Sequence, residues 1–290
     1  MILIADSGST KTDWRLVDDE KKIHQCSTDG FNPYFHSTKE ISEAIKHQLI
    51  PTIKSQTPNP KSHISNLISQ IFFYGAGCSN KDKCNIVELA LKKNFSNAGI
   101  EVHHDLLGAA RALCGNEEGI AAILGTGSNS CYYDGKKIVE NIPALGYVLG
   151  DEGSGAYLGK KLLRAYLNKE LPEDISGKFN KKYKLSKDTI LEAVYSKTNP
   201  NRFLASFSKF LFQNIEHIYI MQLVYSAFAD FFEKHICKYS RHKEVKMNCV
   251  GSVGYYFSKI LKTVATDKGV NIDKIIESPI AALTIYHNGI

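Results

Sequence analysis

A strand, a turn rich in glycine and hydroxyl residues, and a second strand occur twice in this chain, and this repeat constrains the fold most. The first copy has strands at residues 2–6 and 13–18, and the second spans residues 121–133. In both copies β-favouring residues flank the turn-forming cluster, as in a hairpin. The two turns align without a gap, residues 6–10 on residues 125–129. Two such hairpins opening two halves predict a duplicated α/β domain.

The composition admits two modest globular domains and argues against several other classes. The chain has 290 residues, of which 43% are hydrophobic, enough for two cores. Its first apolar run ends at Asp6, too early for a signal peptide, and no later run nears the roughly 20 residues of a spanning helix. We therefore expect a cytoplasmic protein with no membrane partner.

Cysteines and lysines give no sign of a metal or nucleic-acid site. The 7 cysteines are scattered without a C-x-x-C pair, which argues against disulfides, zinc and iron–sulfur clusters. The net charge is +6, but the lysines are dispersed, and the densest stretch, residues 178–187, reads as an exposed loop. Elsewhere, helical spacing after Ser37 and Thr38 predicts a helix over 39–50 that Pro51 ends.

The first turn has the residue types of a phosphate-binding loop. Its candidate ATP ligands are Gly8, Ser9, Thr10, Lys11 and Thr12. Glycine lets backbone N–H groups approach an anion, hydroxyls donate to phosphate oxygens, and the lysine neutralises charge. Asp6, at the strand end, is placed to hold Mg²⁺ through water. The alternative is a polar hairpin turn without function.

The second turn repeats this chemistry at Gly125, Thr126 and Gly127. Neither turn is a P-loop, because the G-x-x-x-x-G-K-[ST] pattern is absent and a strand follows each turn. Two such turns facing each other would contact the β- and γ-phosphates of ATP from opposite sides.

Asp105 follows a short strand, residues 100–103, and precedes a helix rich in small residues. One interpretation is a helix N-cap, a common use of aspartate. The other is a general base that takes a proton from an attacking hydroxyl, with Gly108, Ala109 and Ala110 leaving room for substrate or phosphate.

Three further segments could bind a ligand or serve as ordinary turns. Asp151 lies in a loop of glycines and acids, residues 150–156, where its carboxylate could accept hydrogen bonds from sugar hydroxyls. Asn32, before Pro33, offers both a donor and an acceptor. Gly251 and Ser252 follow a predicted strand at 245–250, a position suited to the adenosine end of a nucleotide.

Taken in order, these segments resemble the N-acetylglucosamine kinase and BadF-type branch of the actin-like sugar kinases. The resemblance spans nearly the whole chain and is most specific in residues 125–129 followed by 150–154. It implies an α/β fold of two ribonuclease-H-like (actin-like ATPase) domains with an interdomain cleft that closes over ATP·Mg²⁺. The implied domains are residues 1–116, joined by a C-terminal helix at 278–290, and residues 117–277.

The resemblance also implies roles for individual residues. Thr10 and Thr126 would contact ATP phosphates, and Asp105 would be the catalytic base. Gly251 and Ser252 would line the adenosine pocket. The implied sugar ligands are Asn32, Pro33, Ser128, Asn129, Gly146 and Asp151.

The implied reaction is transfer of the γ-phosphoryl group of ATP to the 6-hydroxyl of an N-acetylated amino sugar, N-acetylglucosamine first. An N-acetylmuramic acid kinase stays open, because residues 144–147 differ from the Gly-Trp-Gly segment of the animal enzymes. An ATPase activator or sugar-sensing module without kinase activity is the second alternative, although the cysteines do not reproduce the BadF iron–sulfur pattern. The expected partner is a small amino sugar, without nucleic acid, and a homodimer is left open.

Overall fold

The chain forms two compact units, each built around one five-stranded sheet. The computed structural model describes residues 1–8, 11–56 and 64–289. Unit 1 comprises Met1–Gly115 with Pro279–Ile290, and unit 2 comprises Asn116–Ser278. The strands are β1 (Ile2–Ser7), β2 (Lys11–Val17), β3 (Ile23–Asp29), β4 (Gln70–Gly75), β5 (Gly99–His104), β6 (Glu118–Leu124), β7 (Ser128–Asp134), β8 (Ile138–Glu140), β9 (Met247–Val250) and β10 (Ile272–Ile276).

Helices connect the strands in both units. They are α1 (Thr38–Ala44), α2 (Ile50–Gln56), α3 (Ile64–Leu67), α4 (Lys81–Asn94), α5 (Asp105–Cys114), α6 (Gly146–Leu149), α7 (Gly155–Leu167), α8 (Glu173–Tyr183), α9 (Lys187–Tyr195), α10 (Pro200–Ala205), α11 (Ser208–Gln213), α12 (Ile218–Lys234), α13 (Ser252–Tyr256), α14 (Ser258–Asp267) and α15 (Ile280–Asn288). Within the described ranges, every helix is too short or too polar to cross a membrane.

The two sheets have the same strand order and the same directions. In unit 1 the order is β3-β2-β1-β4-β5, with β1, β2 and β3 antiparallel and β4 and β5 parallel to β1. In unit 2 the order is β8-β7-β6-β9-β10, again with an antiparallel hairpin series followed by two parallel strands. The predicted fold class, α/β with two similar domains, is confirmed, because each hairpin seeds an equivalent sheet.

Apolar side chains cover both faces of the unit 1 sheet. One face packs Trp14 and Phe73 against Ile41 and Leu91 of α1 and α4. The opposite face packs Ile4, Val17 and Tyr74 against Ile280 and Leu283 of α15. Unit 2 has its own core, centred on the buried face of α12 with Phe228 and Phe231. Residues at the strand ends are therefore held by a packed layer on each side.

The spacing predicted that Pro51 ends the first helix, but the helical chain continues past it. The chain passes from α1 through a π-helical turn, Ile45–Leu49, into α2, where Pro51 is the second residue. The Ile50 N–H donates to the carbonyl of Ile45, so the turn is one residue wider than an α-helical turn. This widening accommodates the proline ring, and the apolar stripe continues to the buried Ile53.

The lysine-rich stretch at 178–187 is not a loop either. Helix α8 runs to Tyr183, Lys184 adopts a left-handed conformation, and α9 begins at Lys187. Ile175 and Phe179 anchor α8, because both are fully buried. The lysines occupy the exposed side of the same helix, which dilutes the apolar periodicity in the sequence.

The helix α15 is bound to the sheet of unit 1 by a polar chain as well as by its apolar face. Arg111 of α5 donates to the Tyr74 hydroxyl at 2.6 Å, and that hydroxyl lies 2.7 Å from Nε2 of His287. The His287 ring also stacks on Phe72 with 3.7 Å between ring centroids. A hydroxyl that accepts from Arg111 donates its own proton to His287, which requires an unprotonated Nε2.

This arrangement predicts that His287 makes the stability of unit 1 depend on pH. Burial, together with the Arg111 charge, lowers the pKa of His287 to about 4 from an ordinary value of 6.5. The unfolded chain therefore binds the proton first, and the stabilisation present above pH 6.5 is lost as the pH falls towards 4. We expect a loss of about 1–2 kcal/mol after allowance for solvent screening.

Urea unfolding at about pH 7.5 and about pH 5 measures this effect. The His287→Phe variant keeps the stacking on Phe72 and should lose less stability between the two values than the wild type. The exposed His47 provides the control, because His47→Gln should leave the difference unchanged. Equal pH slopes for wild type and His287→Phe would contradict the prediction.

Candidate active site

The turn between β1 and β2 is closed by its own backbone. The Gly8 N–H donates to the carbonyl of Lys11 at 2.9 Å, and both residues are exposed. The Lys11 ammonium pairs with Asp13 at 2.7 Å, so its charge stays at the turn. Ser9 and Thr10, two predicted phosphate ligands, lie outside the described residues.

Thr12 has a structural role instead of the predicted phosphate contact. Its side chain is fully buried, and its hydroxyl donates to the carbonyl of Asp29 at 3.0 Å. It also lies 2.7 Å from the Ser7 hydroxyl, which accepts the N–H of Phe31. The Thr12 hydroxyl thus fixes the start of β2 beside β3. Because its proton is donated to the Asp29 carbonyl, it has none left to donate to a phosphate.

Asp6 lies among other carboxylates at the end of β1. It pairs in register with Asp13 of β2, which places both side chains on one face of the sheet. Burial, followed by repulsion from Asp105 and Asp13, raises the pKa of Asp6 to about 7. A bound cation would relieve this cost, since it favours the ionised carboxylate.

This group of residues fits a hydrated magnesium ion. Nowhere in the described ranges do three or more His, Cys, Asp or Glu side chains converge to hold a metal ion by themselves. Mg²⁺ does not need such a cage, because it keeps several waters and takes other ligands from substrate phosphates. Asp6 is the residue that would hold it, with Asp105 nearby as a second negative charge.

Asp105 is the first residue of α5 and is not the helix cap. The cap is His104, whose Nδ1 accepts the Leu106 N–H at 3.0 Å. The same nitrogen lies 2.8 Å from Oδ1 of Asp105. Burial lowers the pKa of His104, but the hydrogen bond to Asp105 and the charge of Asp105 together outweigh it, and the net change is upward.

The Asp105 carboxylate is therefore available to accept a proton. Its Oδ1 lies beside His104 Nδ1, while the Asp105 side chain as a whole remains 28% exposed. The amino end of α5 favours the ionised carboxylate through the helix dipole. A partly exposed carboxylate at a helix amino end is suited to general-base chemistry.

The small residues after Asp105 pack against the sheet and do not face a ligand. Gly108, Ala109 and Ala110 are buried. A Cβ atom on Gly108 would lie 2.8 Å from Cβ of Tyr74 on β4. Their function is close approach of α5 to the sheet, which corrects the expectation that they leave room for substrate.

The predicted sugar ligands Asn32 and Pro33 lie beside the turn that follows β4. Asn32 is buried, and its Oδ1 accepts the Tyr34 N–H at 3.0 Å. Gly77 has φ +84°, and a Cβ atom there would lie 2.3 Å from that oxygen, so only glycine fits. The Pro33 carbonyl accepts from Lys83 at 3.2 Å.

In unit 2, the amino end of α7 holds the second glycine turn. The N–H groups of Gly155 and Ala156 donate to the carbonyls of Gly125 and Thr126 at 2.8 and 3.0 Å. The Gly125 N–H donates to the Gly127 carbonyl, which leaves the Thr126 side chain exposed at the tip. These bonds fix the shape of the turn.

Asp151 contacts the same turn through its carboxylate. It is buried, its Oδ1 accepts the Ser128 N–H at 3.3 Å, and a Cβ atom on Gly127 would lie 3.0 Å from Oδ2. Burial raises the pKa of Asp151. The buried Ser128 hydroxyl has no partner among residues that the structure describes, as expected of a group that awaits a ligand.

The other two predicted sugar ligands differ in their surroundings. Asn129 uses Oδ1 to accept from the Ser130 N–H and from Asn141, so its amide oxygen is already engaged. Gly146 is exposed, with φ +73° and open space where a Cβ atom would lie. Lys160 was not identified from the sequence. Its ammonium donates to the Tyr147 carbonyl at 2.8 Å and lies close enough to Asp151 to interact electrostatically.

Ser252, directly after Gly251, lines a cavity of about 500 Å³ within unit 2. Gly251 has φ +121°, and a Cβ atom there would lie 2.3 Å from the carbonyl oxygen of Leu124. Phe212 and Tyr256 contact each other edge to face at the cavity, with 5.4 Å between ring centroids. The lining residues are Ser208, Lys209, Phe212, Gln213, Ser252, Val253, Tyr256 and Phe257.

The cavity has the size and the mainly apolar lining of a small-molecule site. Aromatic residues beside a glycine turn suit a planar base, because rings stack on or abut its faces. The sequence had identified the glycine turn but not Phe212, since α11 supplies that side from 39 residues earlier in the chain.

Comparison with known proteins places this geometry in a family. No family model matches the chain, and no curated protein matches it. A crystal structure of a proposed N-acetylglucosamine kinase from Porphyromonas gingivalis is similar with 40% sequence identity and a TM-score of 0.91, over 100% of this chain and 99% of that chain.

Two more distant structures share the fold. A proposed N-acetylglucosamine kinase from Chromobacterium violaceum is 15% identical, with a TM-score of 0.76 over 98% of each chain. A proposed N-acetylmannosamine kinase from Listeria monocytogenes is 13% identical, with a TM-score of 0.54 over 99% of this chain and 98% of that one. With 40% identity over its full length to the first of these proteins, the chain belongs to the N-acetylglucosamine kinase-like family of sugar kinases with the actin-like ATPase fold.

Proposed function

We propose that this protein transfers the γ-phosphoryl group of ATP to the 6-hydroxyl of N-acetylglucosamine. The observation that carries the proposal is the Asp105 carboxylate, which lies partly exposed at a helix amino end, beside Asp6 and 2.8 Å from His104 Nδ1. The similar Porphyromonas gingivalis protein, a proposed N-acetylglucosamine kinase, supports the choice of an amino sugar.

In the proposed reaction Asp105 accepts the proton of the sugar hydroxyl as the hydroxyl oxygen attacks the γ-phosphorus, and ADP leaves. The Lys11 ammonium and the Thr126 hydroxyl are exposed at their turns and would contact the phosphates. Mg²⁺ supplies positive charge to the phosphate oxygens when bound, and Asp6 would hold it. The protein's contribution is position and charge, as in phosphoryl transfer generally.

The cavity beside Gly251 would take the adenine base. Its aromatic rings and apolar lining match a planar, weakly polar group. The Ser208 hydroxyl borders this cavity and has no hydrogen-bond partner in the described chain, so it is a donor for the nucleotide.

An ADP-release assay across several sugars tests the function. N-acetylglucosamine, N-acetylmuramic acid, N-acetylmannosamine and glucose are each supplied with ATP and Mg²⁺, and product mass identifies the phosphorylated sugar. We expect the highest kcat/KM for N-acetylglucosamine. A higher kcat/KM for N-acetylmuramic acid would make that sugar the substrate instead. ATP hydrolysis that no sugar stimulates would overturn the kinase proposal.

Substitution of Asp151 tests the sugar subsite. Asp151→Asn keeps the oxygen that accepts from Ser128, and asparagine tolerates the observed φ of +58°. The variant loses one carboxylate oxygen that would accept from the sugar, so we expect the sugar KM to rise roughly 10- to 100-fold with little change in the ATP KM. Steady-state kinetics with each substrate varied in turn measure this, and an unchanged sugar KM would remove Asp151 from the subsite.

A further inference from the structure

Glu152, the neighbour of Asp151, forms a buried hydrogen-bonded pair with His235 that the proposed mechanism does not use. Its Oε2 lies 3.1 Å from Nε2 of His235, with both side chains at most 7% exposed. Its Oε1 lies 3.2 Å from the ammonium of Lys234, which is half-exposed. Burial acts to raise the pKa of Glu152, but His235 and Lys234 outweigh it and the pKa is lowered, so the carboxylate stays ionised.

His235 is held in place chiefly by this contact. Its ring stacks on Phe231 with 5.4 Å between centroids, and its Nε2 faces Glu152. Its Nδ1 is buried without a partner among the residues described here. Because an unsatisfied buried nitrogen costs stability, Nδ1 does not explain a histidine at this position. The contact of Nε2 with Glu152 does.

The segment attached to Glu152 has a left-handed backbone at two positions. Asp151 has φ +58°, a conformation that few non-glycine residues adopt, and Gly153 has φ +73°. A Cβ atom on Gly153 would lie 2.9 Å from Cβ of Phe231, so the segment rests directly on α12. The packing of Gly153 on α12 therefore fixes this left-handed backbone next to Glu152.

We propose that the Glu152–His235 pair is a positioning pair that holds Asp151 in its left-handed conformation and thereby sets the affinity for the sugar. The inference rests on the proposed function, because it assigns the pair to the same sugar subsite. The pair acts through Asp151 and does not touch the substrate. The Gly125 turn is also bonded to the amino end of α7 by the Gly155 and Ala156 N–H groups, so the phosphate side is expected to be less sensitive to the pair than the sugar side.

Three variants test the pair by steady-state kinetics. His235→Leu removes the hydrogen bond while filling the space, and should raise the sugar KM roughly 10-fold, with the ATP KM and kcat within about 3-fold of wild type. His235→Gln places an amide N–H near the former Nε2 and should restore most of the sugar affinity. Glu152→Gln keeps the shape without the charge and should raise the sugar KM even if His235→Leu does not fold.

A matched control and a structural readout complete the test. His242→Leu removes another histidine contact in unit 2, to the Tyr239 carbonyl, and should leave both KM values unchanged. In the His235→Leu variant without bound ligand, the rate of backbone amide hydrogen exchange should rise in residues 150–156 and stay at the wild-type value in residues 11–29. If this variant does not fold, Glu152→Gln is measured in its place. Equal rises in both KM values, an unchanged sugar KM, failed rescue by His235→Gln, or unchanged exchange would each overturn the proposal. A wild-type protein that no sugar stimulates would instead overturn the proposed function.

Discussion

Replacement of Asp105 by asparagine should lower kcat by roughly 100- to 10,000-fold, the usual range for loss of a general base. The ATP affinity should change little, because the amide keeps the size of the side chain at the start of α5. Stability should stay within about 1 kcal/mol of wild type, since the loss of a favourable helix-end charge is offset by relief of repulsion with Asp6. Sugar-dependent ADP release measures kcat, and titration calorimetry measures ATP binding.

The matched control is Asp82→Asn. Asp82 is likewise an acidic residue in the first turn of a helix, α4, and it is exposed. Its substitution removes the same helix-end charge without touching the candidate site, and activity should stay at the wild-type level. Sugar-dependent ADP release by Asp105→Asn at a wild-type rate would exclude Asp105 as the base.

The Gly251→Ala substitution should have the largest effect on stability. Alanine is strained at φ +121°, and its Cβ would lie 2.3 Å from the oxygen and 2.6 Å from the carbon of the Leu124 carbonyl group. Backbone atoms cannot rotate away as a side chain can, so we expect a loss of about 3 kcal/mol or more. Displacement of Leu124 also shifts Gly125, and the ATP KM should rise roughly 10-fold. Urea unfolding and steady-state kinetics measure the two effects.

The control is a glycine at which an added methyl group meets no other atom. It separates the strain and the backbone clash at Gly251 from the general effect of adding a methyl group. Gly177 lies inside α8, where a Cβ atom would have nothing within 4 Å. Gly177→Ala should therefore stabilise the protein by about 0.5–1 kcal/mol, because alanine is the better helix former. A Gly251→Ala variant as stable as the wild type would mean that the backbone at Leu124 yields easily.

The two hairpins and the α/β class were predictable from sequence because their signals are local. Both consist of β-favouring runs around a turn cluster, and both were found where expected. The strand β3 carries no such signal, since His24, Gln25, Ser27 and Asp29 are polar. It is a strand because seven of its residues pair with β2, a contact that sequence periodicity does not record.

The candidate site was predictable where function needs particular residue types and not where it needs particular neighbours. Glycine turns and isolated acids such as Asp105 and Asp151 are visible in the sequence. Thr12 looked like a ligand because its hydroxyl is of the right type, but the fold buries it against Asp29. His235, directly after α12, and Phe212 of α11 lie far from their partners in the sequence, so only tertiary packing brings them to Glu152 and to the cavity.

The division of unit 1 into two stretches of chain has a consequence for synthesis. Residues 116–278 form one continuous unit, whereas the apolar face formed by Ile4, Val17 and Tyr74 is covered by Ile280 and Leu283, from the last helix. While the ribosome is still adding residues, the second unit has all the chain it requires, and the first does not. The nascent chain therefore exposes this face until translation reaches α15, and this interval is when chaperone binding would protect it from aggregation.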